Sequence, residues 1–174
     1  MRLLNATPFT EHSGEVAFRG ERVRIRPNQI IAWVSMTIHR VLEPNPAAVP
    51  FPVIVDTGHT HSFSIQERHL IEWAGLRQDA LFQIGTIREG TDRLPLQAVN
   101  LWVHPNNAGT REVSDRPPYF LSATTGVAVY SARNFPRLPL LGLRAIAENN
   151  LILRADGKKR LATLRTALRW WPFS

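Results

Sequence analysis

The sequence predicts an all-β fold. Three observations carry this: short runs of β-branched and aromatic residues, 13 prolines scattered among them, and no long stretch of helical periodicity. With 174 residues and no break in composition, the chain is expected to form one domain with a sizeable core. The absence of cysteine excludes disulfides and thiol chemistry and leaves the redox compartment open. Neither Met1–Pro8 nor any later stretch has the sustained apolar run of a signal peptide or membrane span, so a cytoplasmic protein without a membrane partner is expected.

In chain order, residues 1–22 are polar and irregular, with a turn at Thr10–Gly14, and are expected to form a flexible N-terminal arm. The folded domain is expected over 23–166. Val23–Arg26 alternates apolar and basic residues, and Ile30–Val41 suggests one or two strands before Glu43-Pro44-Asn45-Pro46 breaks the run. Val53, Ile54 and Val55 predict a buried strand that delivers Asp56 to its end. Ser62–Ile65 alternates after it, giving strand, turn, strand. Gln66–Gly75 predicts a helical turn stopped by Gly75.

Leu81–Asp92 and Leu94–Val103 read as two strands about a glycine-containing turn, and Pro105–Pro118 as an exposed polar loop. Tyr119–Leu121 and Val127–Tyr130 predict short strands joined by Thr124-Thr125-Gly126. A short helix is expected from Leu143 to Asn149, and a hairpin about Ala155-Asp156-Gly157-Lys158. Leu161, Leu164, Leu168 and Trp171 also share one face of a possible helix, and 167–174 is expected as a C-terminal tail.

Asp56-Thr57-Gly58 is the chemically pointed stretch. A carboxylate at a strand end is costly to bury without compensation, so it marks either a satisfied turn or a working site. Far downstream, Leu140-Leu141-Gly142 shows an apolar pair before a glycine, followed by a short helix-like pattern. Together the two stretches resemble the retropepsin-like aspartic proteases, the family of the retroviral proteases and their cellular relatives. The similarity spans about residues 30–166, with specificity confined to the two motifs.

The resemblance implies a closed barrel with one short helix after Leu140-Leu141-Gly142. It implies Asp56 as the catalytic residue, Thr57, Gly58 and Thr60 as its support, and Leu140, Leu141 and Gly142 as the segment that buttresses the catalytic turn. It places a flap at Ile87, Arg88, Glu89, Gly90 and Thr91, although this tip lacks the glycine run of the viral enzymes. The chemistry requires two carboxylates sharing one proton, one acting as base on water and the other polarising the peptide carbonyl. One Asp-Thr-Gly is present, so a homodimer is implied, with no cofactor and no metal, acting on a peptide or protein substrate.

His59 departs from the family, which has a small residue there. An imidazole beside the carboxylates can obstruct a substrate or shift the pH range of activity. The alternatives are a catalytically silent scaffold, a basic binding module, or a metal-dependent hydrolase in which His59 and His61 are joined by His69 or His104. The net charge of +7 attracts polyanions, and Lys158, Lys159, Arg160, Arg165 and Arg169 concentrate part of it, but a solvated basic face is the simpler expectation and nucleic acid is not the expected partner. Trp33, Trp73, Trp102, Trp170 and Trp171 are expected mainly as packing residues.

Overall fold

The computed structural model describes residues 1–124, 126–131 and 138–167. Strands dominate. In chain order they are β1 (Arg2–Pro8), β2 (Gly14–Phe18), β3 (Glu21–Ile25), β4 (Ile30–Ile38), β5 (Phe51–Asp56) and β6 (Phe63–Gln66), then helix α1 (Glu67–Glu72) and a 3₁₀ turn at Gln78–Ala80. There follow β7 (Phe82–Glu89), β8 (Asp92–His104), β9 (Tyr119–Phe120), β10 (Val127–Tyr130), β11 (Leu140–Gly142), helix α2 (Leu143–Glu148), β12 (Leu151–Asp156) and β13 (Leu161–Thr166). The mostly-β class is as expected, α2 stands where a helix is expected after Leu140–Gly142, and α1 occupies the expected helical turn at Gln66–Gly75.

The main sheet runs β10-β6-β11-β5-β4-β8-β7, with β9 added to β8. β10 also pairs with β8 through Val127 opposite Gln97 and Ala128 opposite Leu96. Both faces of the central strands are covered, so β4 is buried from Ile31 to Thr37 and β5 from Phe51 to Val55. Such strands read as apolar runs instead of alternating ones. Phe51, Phe63, Ile31, Ile65, Leu101, Leu121 and Leu141 are among the side chains wholly withdrawn from solvent. Tyr119–Phe120 and Val127–Tyr130 form strands but do not pair with each other: β9 lies on β8, whereas β10 bridges β6 and β8.

The N-terminal segment corrects the expectation of a flexible arm. β1 pairs with β13, β2 pairs with β3, and Leu3 and Leu4 are completely buried. Nothing local announces this, because the partner of β1 lies at the other end of the chain: Arg2 stands opposite Arg165 and Leu4 opposite Leu164. The same pairing corrects the helix at the far end. Leu161 and Leu164 belong to β13, and Leu168 and Trp171 lie outside the described residues, as does most of the expected 167–174 tail. The Asp156–Gly157 hairpin is present, with Asp156 Oδ1 accepting the backbone N–H of Lys158 and Lys159.

The 105–118 loop is also held more firmly than its composition suggests. Asn106 is 1% exposed. Its Oδ1 accepts the Asn5 N–H at 2.6 Å, and its Nδ2 donates to the Thr110 carbonyl at 2.6 Å and the Asn107 carbonyl at 3.0 Å. Arg111 Nε donates to the Pro8 carbonyl, while the Arg111 carbonyl accepts the Trp33 indole N–H. A buried amide with these partners fixes the loop against β1 and satisfies backbone groups that no ladder reaches.

Because Leu4 lies within the core, Leu4→Ala is expected to cost about 2–5 kcal/mol of stability. Denaturant unfolding measures this; a loss below about 1 kcal/mol would restore the loosely held arm.

Candidate active site

Asp56 ends β5, beyond the buried Val53, Ile54 and Val55. The chain turns through 57–62 and returns as β6, but β5 and β6 do not pair. β11 enters between them. Leu140, Leu141 and Gly142 run parallel to β5 opposite Ile54, Val55 and Asp56, and antiparallel to β6, where Leu140 faces Ser64 and Leu141 faces Phe63. The Ile54 N–H donates to the Pro139 carbonyl at 2.9 Å, and the Gly142 N–H to the Ser62 carbonyl at 3.0 Å. The predicted catalytic and buttressing segments are therefore hydrogen-bonded neighbours, in a register that sets Gly142 beside Asp56.

Space, not backbone freedom, makes Gly142 a glycine. Its φ of −83° is open to any residue, but a Cβ there would sit 1.9 Å from the His61 carbonyl oxygen and 2.9 Å from that of His59. The returning turn is thus pressed onto bare backbone. Gly58 differs: it has no positive φ, and an added Cβ would lie 3.3 Å from Asp56 Oδ1. Close approach is what the position uses, because the Gly58 N–H donates to that same oxygen at 2.9 Å.

Asp56 is half-buried, and its backbone carbonyl accepts the His59 N–H at 3.2 Å. Among the described residues no cation pairs with it. Thr57, Gly58 and Thr60 are exposed around it. His59 Nε2 lies 2.5 Å from the hydroxyl of the fully buried Ser64, and its ring meets that of His61 edge-on with centroids 5.3 Å apart. Ser64 is a residue that sequence reasoning missed. Only the alternation of Ser62–Ile65 hinted at it, and that pattern points a serine outward.

Behind the turn, α2 starts directly from β11. Arg144 Nε donates to Glu148 Oε1 at 2.7 Å, and the Ser62 hydroxyl donates to Glu148 Oε2 at 3.3 Å, so the helix is tied to the end of the turn through 57–62. Asn149, also missed, is buried with its side chain satisfied: it accepts from the Ala123 N–H and donates to Thr124 Oγ1 and the Ala145 carbonyl. An asparagine after a helix reads in sequence as a simple cap.

The flap candidate lies on the β7–β8 hairpin. Ile87 is opposite Leu94 and Arg88 opposite Arg93, and Gly90 takes φ 60° at the first position of a two-residue turn, where a type II′ turn favours glycine. Arg88, Gly90 and Thr91 are exposed. No described hydrogen bond joins this tip to the Asp56 turn; the hairpin packs on β4, β9 and β10.

The histidines expected to complete a metal site are engaged elsewhere. His69 on α1 is buried and stacked on Trp73 at 3.8 Å, its pKa pushed down to about 4 by burial and then by the Arg68 charge. His104 Nε2 lies 2.8 Å from Ser35 Oγ, and burial lowers its pKa likewise to about 4. Among the described residues no three His, Asp or Glu side chains gather as a metal would require. Comparison with protein-family models, curated proteins and solved structures finds no match.

Gly142→Ala is expected to cost about 1–3 kcal/mol or more through overpacking, whereas Gly157→Ala, with open space around it, should be near neutral. Thermal melts of the pair check this, and equal melting would remove the close-approach argument. For His69 and His104 the folded pKa is depressed, so between pH 6.5 and about 4 the unfolded chain binds protons that the folded chain refuses. Their contribution is intact above pH 6.5 and lost as pH falls towards 4, so the urea midpoint should drop between pH 7 and pH 5 and drop less in His69→Gln.

Proposed function

We propose that the chain is a retropepsin-like aspartic endopeptidase that works as a homodimer, each copy supplying Asp56. The observation that carries this reading is the insertion of Leu140–Gly142 between the two strands that flank Asp56, with Gly142 opposite Asp56. An inserted parallel strand holds the turn from behind and leaves its carboxylate at the surface. The strand circuit β8-β4-β5-β11-β6-β10, returning to β8, supports the closed-barrel architecture.

The local chemistry agrees. Asp56 has one oxygen positioned by the Gly58 N–H and, among the described residues, no cation paired with it. Two such half-buried carboxylates brought together cannot both ionise and will share a proton. The ionised member takes a proton from water as its oxygen attacks the peptide carbonyl carbon. The protonated member donates to the carbonyl oxygen. Collapse of the tetrahedral intermediate breaks the C–N bond, with the departing nitrogen receiving a proton from the dyad. The exposure of Thr57 and Thr60 beside Asp56 supports a role for them towards the partner copy or the substrate.

One observation favours a second reading, a silent scaffold of the same shape. His59 is larger than the residue the family uses, and its ring meets that of His61 edge-on beside Asp56. Its Nε2 contact with Ser64 draws the ring towards β6, which is how an imidazole can be accommodated beside an active carboxylate.

Asp56→Asn should lower peptide cleavage by at least about a hundredfold while leaving the melting curve unchanged. A peptide library at high protein concentration, across an acidic-to-neutral pH series, reads this. Cleavage by the Asn variant at the wild-type rate would overturn the mechanism; silence of both proteins would leave the scaffold reading in its place.

A further inference from the structure

Away from Asp56, the three-stranded sheet β1-β13-β12 carries a groove of about 440 Å³ whose lining includes Arg2, Arg154, Lys159 and Arg165. All four are exposed, and none has an acidic partner among the described residues. Arg2 and Arg165 stand directly opposite each other on paired strands, an arrangement of like charges that destabilises a sheet unless an anion lies between. Arg154 is opposite Thr163, one outward position along β13 from Arg165, so the cations follow a diagonal with steps of about 5–8 Å. Ile152, 40% exposed, and Leu161 give the groove an aliphatic floor. The single carboxylate there, Asp156, is occupied through Oδ1 by the Lys158 and Lys159 backbone N–H groups.

We propose that this face docks an acidic polypeptide segment in extended form. Charge complementarity sets the sign of the partner, and guanidinium forks suit carboxylates. A second copy laid face to face on this groove is disfavoured, because that two-fold contact would set the same unpaired cations against one another. The groove residues include no aromatic ring, whereas single-stranded nucleic acid is held largely by bases stacking on such rings. The sheet edges also differ. Beyond β1 the side is closed by the loop at Asn106, through the Asn106 N–H to the Leu3 carbonyl and the Gly109 N–H to the Asn5 carbonyl. β12 has no described strand partner on its outer edge, and an extended peptide can add there while its alternate side chains reach Arg154 and the groove. Docking at this face is independent of catalysis at Asp56.

The test is fluorescence anisotropy with a labelled Glu/Leu-alternating peptide and, separately, a labelled oligothymidylate, both titrated with Asp56→Asn protein so that cleavage cannot interfere. The peptide should bind with an affinity that falls as salt rises. Arg154→Glu combined with Arg165→Glu should weaken it at least tenfold, whereas Arg24→Glu combined with Arg40→Glu, which carries the same charge change away from the groove, should weaken it much less. Equal weakening by the two double variants would overturn the assignment, since net charge alone would then explain binding. So would tighter binding of the oligothymidylate through Arg154 and Arg165, or a changed oligomeric state of the Arg154/Arg165 variant. Circular dichroism confirms that each variant is folded, and Arg154→Gln with Arg165→Gln replaces the charge reversal if it is not.

Discussion

The structure depends on one contact between backbones: Gly142 packed against the carbonyl oxygens of His61 and His59. Two strands joined by a short turn ordinarily pair with each other. Here β5 and β6 are held apart by β11, which supplies hydrogen bonds to both and brings a segment from far along the chain beside Asp56. Any side chain larger than hydrogen at 142 would occupy the space of the turn itself. The carboxylate's position is therefore set by a non-local strand insertion, which makes it a property of the whole fold.

Around that insertion the remaining elements act as restraints. The apolar faces of β4, β5 and β8 bury the strands on which the turn is mounted, and such burial is the main favourable term in folding. α2 continues directly from Gly142 and is fixed at its far end by Asn149, whose buried amide is fully partnered. The β1-β13-β12 sheet closes the two ends of the chain on each other. A fold rich in contacts between distant residues assembles slowly.

Those long-range contacts also explain what the sequence revealed. β5 and β11 were legible because β-branched and leucine runs ending in glycine mark buried strands whatever their neighbours, and Asp56 is conspicuous at such an end. β1 was not legible: Arg2–Pro8 is half polar, and the leucines it buries face β13, which no local pattern could anticipate. Asn106 looked like an ordinary loop asparagine because its partners, Asn5 and Thr110, become visible only once the loop is folded onto β1. At the site, Gly142 was marked as buttressing but its reason, collision with the His61 carbonyl, is purely three-dimensional. The His59–Ser64 contact was hidden for the same reason, since it spans a turn whose shape is dictated by β11. The histidines that seemed available as metal ligands were distinguishable only by burial, His69 beneath Trp73 and His104 against Ser35.

Whether one catalytic unit draws Asp56 from two copies of the chain is read by mixing. Wild-type and Asp56→Asn proteins are equilibrated in equal amounts at constant total concentration, and peptide cleavage is measured. A shared dyad predicts that activity falls to about a quarter of the all-wild-type value, because only that fraction of randomly paired dimers keeps both carboxylates. Activity of about half, proportional to the wild-type protein present, would mean that each copy works alone and would contradict the account.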